Sequence, residues 1–214
     1  MVLKLYGSPV STCTKRVAMV LHEKQVPFEF FPIDLAKGEH KAPEFVAHQP
    51  FGQVPYIDDD GFVLYESRAI AQYIATKYAD QGTPLIPKGI KEYGLFLQGV
   101  AIESSNFDPY ASKLVFEKLI KQKYGMTCDE AVASQSVETL NAKLDVYEKI
   151  LSKQKYIGGD VLTLADLYHL PYGALLPLVP CDAIEKRPAV SKWFKELAAR
   201  PSWQAVQGGI KGTA

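Results

Sequence analysis

The sequence predicts two structural classes in one chain: an α/β domain over residues 1–79 and an all-α domain over residues 90–214, joined by a linker at 80–89. Three observations lead to this division. Residues 1–79 switch between the two-residue period of strands and the three-to-four-residue period of helices. The linker carries Asp80-Gln81-Gly82-Thr83-Pro84 and Pro87, turn residues without a sustained period. Beyond residue 90 no alternating segment appears, while Val137, Leu140, Leu144, Tyr147 and Leu151 step by three or four along a helix.

Within the first domain, Val2-Leu3-Lys4-Leu5-Tyr6 reads as a short strand ended by Gly7-Ser8-Pro9. A helix follows, with Ser11 or Thr12 as its N-cap and Val17, Val20, Leu21 and Lys24 at helical spacing. Phe28 to Ile33 forms the next strand candidate, and strand, helix, strand over so short a span is a right-handed βαβ unit with parallel strands. After a polar loop from Asp34 to Gln49, Gln53–Ile57 and Phe62–Tyr65 flank Asp58-Asp59-Asp60-Gly61, the pattern of an antiparallel hairpin. Glu66-Ser67-Arg68-Ala69-Ile70 opens a helix whose apolar face is Ile70, Tyr73, Ile74 and Tyr78. The order is therefore βαβ followed by ββα. In the second domain, Thr163-Leu164-Ala165-Asp166 has the spacing of a capping box, and Pro171 would kink the ensuing helix or sit early in it.

Bulk composition narrows the function. Apolar residues make up 47% and charged residues 22%, ordinary for a globular chain. Lys and Arg total 24 against 24 for Asp and Glu, so no global field draws in nucleic acid or an anionic membrane. Cys13, Cys128 and Cys181 are odd in number and lack metal-ligand or redox spacing, which argues against a disulfide framework or zinc site and for a reducing compartment. No apolar run is long enough to span a membrane, and the N-terminal apolar stretch is too short for a signal peptide, so the chain reads as cytoplasmic.

Four separated strings carry a resemblance: Ser11 to Val17, Glu39-His40-Lys41, Pro50-Phe51-Gly52-Gln53-Val54-Pro55, and Glu66-Ser67-Arg68-Ala69-Ile70. Their order and spacing resemble the cytosolic glutathione transferases, the phi class most closely. Asn106-Phe107-Asp108-Pro109, Leu114-Val115-Phe116-Glu117, the capped helix at Thr163 and Arg200-Pro201-Ser202-Trp203 extend the similarity over nearly the whole chain. The resemblance implies a thioredoxin-like N-terminal domain, an all-helical C-terminal domain and a homodimer with two sites. It also implies conjugation of reduced glutathione, a co-substrate and not a resident cofactor, to hydrophobic electrophiles in detoxification, with hydroperoxide reduction a related activity. Neither a metal nor a bound cofactor is expected.

These strings suit a thiol tripeptide. A glutathione thiol should titrate near the roughly 8.5 of a free cysteine, so catalysis requires stabilisation of its thiolate. Ser11, in the turn between the first strand and the first helix, can donate a hydrogen bond to that sulfur beside helix N–H groups that favour negative charge. The same serine can equally be a plain helix cap. Thr12 and Thr14 compete as donors, and the resemblance gives the role to Ser11, five positions before Arg16. Cys13 invites thiol exchange but lies two positions too late for it and has no cysteine partner.

For the remainder of the tripeptide, the resemblance implies His40 and Lys41 on the glycyl carboxylate, with a solvated loop the alternative. Gln53 and Val54 would pair with the cysteinyl backbone as an added strand, Pro55 following a cis peptide bond. Glu66 would answer the α-amine and Ser67, with the first N–H groups of its helix, the γ-glutamyl carboxylate, with Arg68 an adjacent contact or a domain-interface cation. Val10, Thr12, Leu35, Phe107 and Phe116 are the candidate acceptor wall between the domains, each also a candidate for core. Two other functional classes are disfavoured: a non-catalytic carrier of glutathione or hydrophobic ligands on the same fold, by the intact Ser11, and a thiol-disulfide oxidoreductase working through Cys13, by its spacing.

Overall fold

A computed structural model describes residues 2–214 and divides the chain into two compact units. The first runs to Ile86 and takes up Arg200–Ala214, and the second is Pro87–Ala199.

In the first unit, β1 (Leu3–Gly7), α1 (Thr12–Glu23) and β2 (Phe28–Pro32) form the βαβ element. A short helix α2 (Pro43–Val46) lies in the following loop, and β3 (Tyr56–Asp59), β4 (Phe62–Tyr65) and α3 (Ser67–Lys77) complete the ββα half. The sheet order is β2-β1-β3-β4, with β1 parallel to β2 and antiparallel to β3. Leu3, Leu5, Phe28 and Ile57 are buried, as are Val17, Val20 and Leu21 of α1 and Ile70 and Ile74 of α3. Each such side chain contributes on the order of 1.5–3 kcal/mol on leaving water. The hairpin turn is tighter than the acidic run suggests. Asp59 pairs with Phe62, leaving Asp60 and Gly61 at φ 58° and 84°, the two positive angles of a type I′ turn.

Two sequence boundaries shift. Gln53-Val54-Pro55 is not part of a strand, because β3 begins at Tyr56 after the proline that cannot donate to a ladder. Part of the expected linker also belongs to the first unit. The Gln81 amide donates to Lys24 O at 2.8 Å and the Lys24 ammonium to Thr83 O at 2.9 Å. Between them Gly82 has φ +60°, and a Cβ there would lie 2.3 Å from Glu23 O, so the chain passes the end of α1 only as glycine.

The larger correction concerns residues 200–214, which do not continue the helical domain. Helix α11 (Pro201–Gln207) packs on α1. Arg200 places Nε 2.6 Å and Nη2 2.7 Å from the two oxygens of the buried Glu23 carboxylate, which also accepts from Thr83 Oγ1 at 2.6 Å and from Ser202. Further on, the N–H of Thr213 donates to Phe28 O at 2.9 Å, so the tail covers the edge of β2.

The second unit is helical: α4 (Ile90–Asn106), α5 (Asp108–Val115) with a π-helical turn Phe116–Ile120, and α6 (Lys121–Lys123), followed by α7 (Glu130–Leu151), α8 (Leu164–Leu167), α9 (Leu170–Gly173) and α10 (Pro188–Ala198). Leu140, Leu144, Tyr147 and Leu151 form the buried stripe of α7. Asp166, at the start of α8, accepts from the Thr163 N–H at 3.0 Å, the Ile157 N–H at 2.8 Å and Trp193 Nε1 at 3.0 Å. Pro171 sits in the first turn of a separate helix and produces no kink.

Burial pushes the Glu23 carboxyl up, but bonds from Arg200, Ser202 and Thr83 outweigh it and hold the group below its ordinary range. A carboxylate depressed by folding contributes stability above its unfolded pKa and loses it as pH falls through the folded one. Glu23→Ala, which removes the buried carboxylate that meets Arg200 through both its oxygens, should cost about 3 kcal/mol in urea unfolding at pH 7. The difference from the parent protein should shrink as pH falls below the ordinary carboxylate range and through the lowered value of folded Glu23.

Candidate functional site

The first of the candidate site residues lie at the C-terminal end of β1, where α1 begins. Ser11 is the N-cap of α1, and its Oγ accepts the Thr14 N–H at 3.3 Å. A serine hydroxyl has two lone pairs and one proton, so this bond uses an acceptor site and leaves the O–H to donate elsewhere. Ser11, Thr12 and Cys13 are half-buried, and Val10 beside them is 60% exposed.

Glycine 7 draws two further segments to this point. A Cβ on Gly7 would lie 2.5 Å from Thr14 Cγ2 and 3.2 Å from Pro55 Cβ, so β1, the first turn of α1 and the Pro55 loop meet only because no side chain intervenes. The Val54–Pro55 peptide is cis. Gln53 N–H donates to Oε1 of the buried Gln49 at 3.0 Å, while the Gln53 side chain is exposed. The Val54 N–H and C=O have no partner among the described residues, which leaves them open to an extended peptide.

The same loop positions the basic pair. Lys41 Nζ donates to Phe51 O at 3.2 Å, and its side chain crosses Gly52, where a Cβ would lie 2.8 Å from Lys41 Cδ. Gly52 also has φ +59°, so glycine is favoured there twice over. Burial, and then the adjacent Lys41 charge, lowers the pKa of the His40 imidazole, which is therefore neutral at pH 7. The positive charge at this end belongs to Lys41, and His40 offers a neutral ring.

At the start of α3, Ser67 is buried and its Oγ accepts from Arg16 Nη1 at 2.9 Å. Glu66, exposed just before it, has φ 70° and ψ 105°, a backbone geometry costing on the order of 1–3 kcal/mol for a residue with a Cβ. Arg68 is half-buried in the first turn of α3. Leu35 is half-buried in the loop after β2.

The aromatic candidates of the second unit differ in setting. Phe107 is buried, its ring centroid 4.8 Å from that of His169. Its place is the helical core, because a 1% exposed side chain offers a ligand no wall. Phe116 is 42% exposed on the π-helical turn. His169 donates from Nδ1, since its partners there are the carbonyls of Ala165 and Asp166, and Nε2 therefore accepts from Tyr147.

Sequence patterns did not point to Gln49, and gave Gly7 and Gly52 only as turn residues. Gln49 lies four positions before the backbone it holds, and the Pro50-Phe51-Gly52 turn between them was the available signal. The two glycines matter through close approaches that only packing reveals.

Comparison with known proteins gives a consistent result. A family model described as the glutathione S-transferase N-terminal domain matches residues 1–76, and one described as the C-terminal domain matches 107–201. Glutathione S-transferase F7 of Arabidopsis thaliana is 44% identical over 205 residues, covering 95% of this chain and 98% of that protein. The crystal structure of glutathione transferase F7 from Populus trichocarpa superposes with a TM-score of 0.94 at 42% identity, covering 97% of this chain and 98% of that one. Glutathione S-transferase I from maize, solved with an atrazine glutathione conjugate, superposes with a TM-score of 0.89 at 34% identity over 97% of both chains.

Gly7→Ala should destabilise the protein by about 1–3 kcal/mol in urea unfolding, because Thr14 or Pro55 must move. An unchanged unfolding midpoint would show that the convergence at Gly7 is loose.

Proposed function

The chain belongs to the glutathione S-transferase family, as a phi-class glutathione transferase, and on that premise we propose that Ser11 keeps the sulfur of bound glutathione ionised by donating its hydroxyl proton as a hydrogen bond. The observation that carries this reading is the Thr14 N–H bond to Ser11 Oγ, which occupies a lone pair and leaves the proton free. Ser11 takes no proton from the thiol. That proton leaves to solvent, and the N-terminal end of α1 adds its dipole to the hydroxyl in favouring the anion. The thiolate then attacks an electrophilic carbon of a hydrophobic substrate: a carbon–sulfur bond forms and the leaving group departs with its bonding pair, as chloride does from a chloronitrobenzene.

Each part of the tripeptide has a group to meet it. Lys41 and neutral His40 take the glycyl carboxylate. The Val54 backbone and the Gln53 side chain pair with the cysteinyl segment. The start of α3, with Ser67 and the adjacent Arg68, receives the γ-glutamyl carboxylate, and Glu66 the α-amine. Thr12 is a secondary donor near the sulfur, and the exposed Val10 gives the electrophile an apolar surface beside Ser11. No further cofactor enters this scheme, in which glutathione itself brings the nucleophile.

The finer setting is also proposed. Cys13, Cys128 and Cys181 are free thiols, which supports a reducing, cytoplasmic location. Among the described residues no helix is long and apolar enough to cross a membrane. Exposed apolar side chains, Phe51 and Phe62 in the first unit and Ile90 and Tyr93 on α4, support a homodimer, which a monomer mass by sedimentation would refute.

With 1-chloro-2,4-dinitrobenzene and glutathione, Ser11→Ala should lower kcat/KM about a hundredfold, as loss of one charge-stabilising donor does, and raise the apparent thiol pKa. Cys13→Ser should keep near-parental activity. The opposite ranking would make Cys13 the reactive group, and absence of turnover in all variants alongside tight S-hexylglutathione binding would favour a carrier.

A further inference from the structure

Arg16 is a fully buried cation whose role the catalytic scheme leaves open. It lies on α1, and its Nη1 is 2.9 Å from Ser67 Oγ on α3 and 3.6 Å from Cys13 Sγ one turn back. A guanidinium only donates, so Ser67 Oγ must accept, and the Ser67 proton points away from Arg16. Ser67 is only 6% exposed, and no acceptor for that proton lies among the described residues. The hydroxyl is therefore set at the first turn of α3 with its donor unspent and a positive charge directly behind it. A carboxylate arriving there meets the hydroxyl proton, the helix N–H groups and a cation that water does not screen.

We infer that Arg16 is a positioning residue for the γ-glutamyl carboxylate of glutathione, acting through Ser67 and not on the sulfur; this rests on the reading of the α3 start as the γ-glutamyl site. Bonding to Arg16 keeps the Ser67 proton turned away from α1, and the charge strengthens that donor. A cation acting on the thiolate instead would change thiol ionisation, and one serving only as core filler would show no dependence on Ser67.

The test combines a double-mutant cycle with a ligand analogue. Binding of S-hexylglutathione, and of its analogue lacking the γ-glutamyl α-carboxylate, is measured by calorimetry for the parent, Arg16→Gln, Ser67→Ala and the double variant, with the pH profile of kcat/KM. Arg16→Gln should weaken S-hexylglutathione binding about tenfold, a change of roughly 1.4 kcal/mol, in the parent background but less than threefold on Ser67→Ala. It should leave binding of the analogue and the thiol limb of the pH profile in place. Should Arg16→Gln fail to fold, Arg16→Lys serves in its place: it keeps the charge but loses the planar fork, and should weaken binding less than Ser67→Ala does. A tenfold loss that persists without Ser67, or a raised thiol pKa, overturns the proposal. If the parent binds both ligands equally, the underlying reading of α3 fails; if the parent discriminates and Arg16→Gln discriminates as well as it does, only the role of Arg16 fails.

Discussion

The bond from the Thr14 N–H to Ser11 Oγ occupies a lone pair and keeps the hydroxyl proton off the helix end, and the proposed contact with a thiolate depends on it. A helix must satisfy its first N–H groups, and a serine cap does so with an acceptor lone pair. Capping and the proposed thiolate contact draw on different parts of one hydroxyl, so the residue that starts α1 keeps a proton to offer a ligand. The arrangement holds only if Thr14 stays where it is, against Gly7 and opposite Pro55. Local helix geometry, sheet packing and the site are thus the same few contacts seen at three scales.

The charges follow a similar economy. The chain is neutral overall, and the first unit places positive charge at separate points, Lys41 over Gly52 and Arg16 behind Ser67. One cation is exposed on a loop; the other is buried and bonded. An exposed lysine is screened and easily repositioned, while a buried arginine holds its partner in one geometry. His40, neutral beside Lys41, adds a ring to that end without adding charge.

Much of this was readable from the residues because it is local. The Asp60-Gly61 turn, the Ser11 cap and the stripe of α7 each depend on neighbours within a few positions. What could not be read is carried by distant pairs. Glu23 and Arg200 stand 177 residues apart, and nothing around either announces the other. The strand pattern began three residues early because Gln53-Val54 alternates like a strand, while the backbone there is turned by Pro55 and held by Gln49. Phe107 fits an apolar pocket as well as a core by type, and only the neighbouring His169 ring decides between them. The glycines of the site were legible as turns but not as clearances, because a clearance belongs to two segments at once.

The return of residues 200–214 to the first unit has a consequence for synthesis. Residues 1–86, which hold all four strands, are synthesised before the helical unit, yet the guanidinium that pairs with Glu23 and the segment that covers the β2 edge follow only after it. At roughly 5–20 residues per second, that delay is on the order of ten seconds. During it the nascent chain carries a carboxylate destined for burial without its arginine, together with an unpaired strand edge. The α/β unit is therefore begun first and completed late: residues 200–214 add its last surface only after a stretch of chain that forms a different unit.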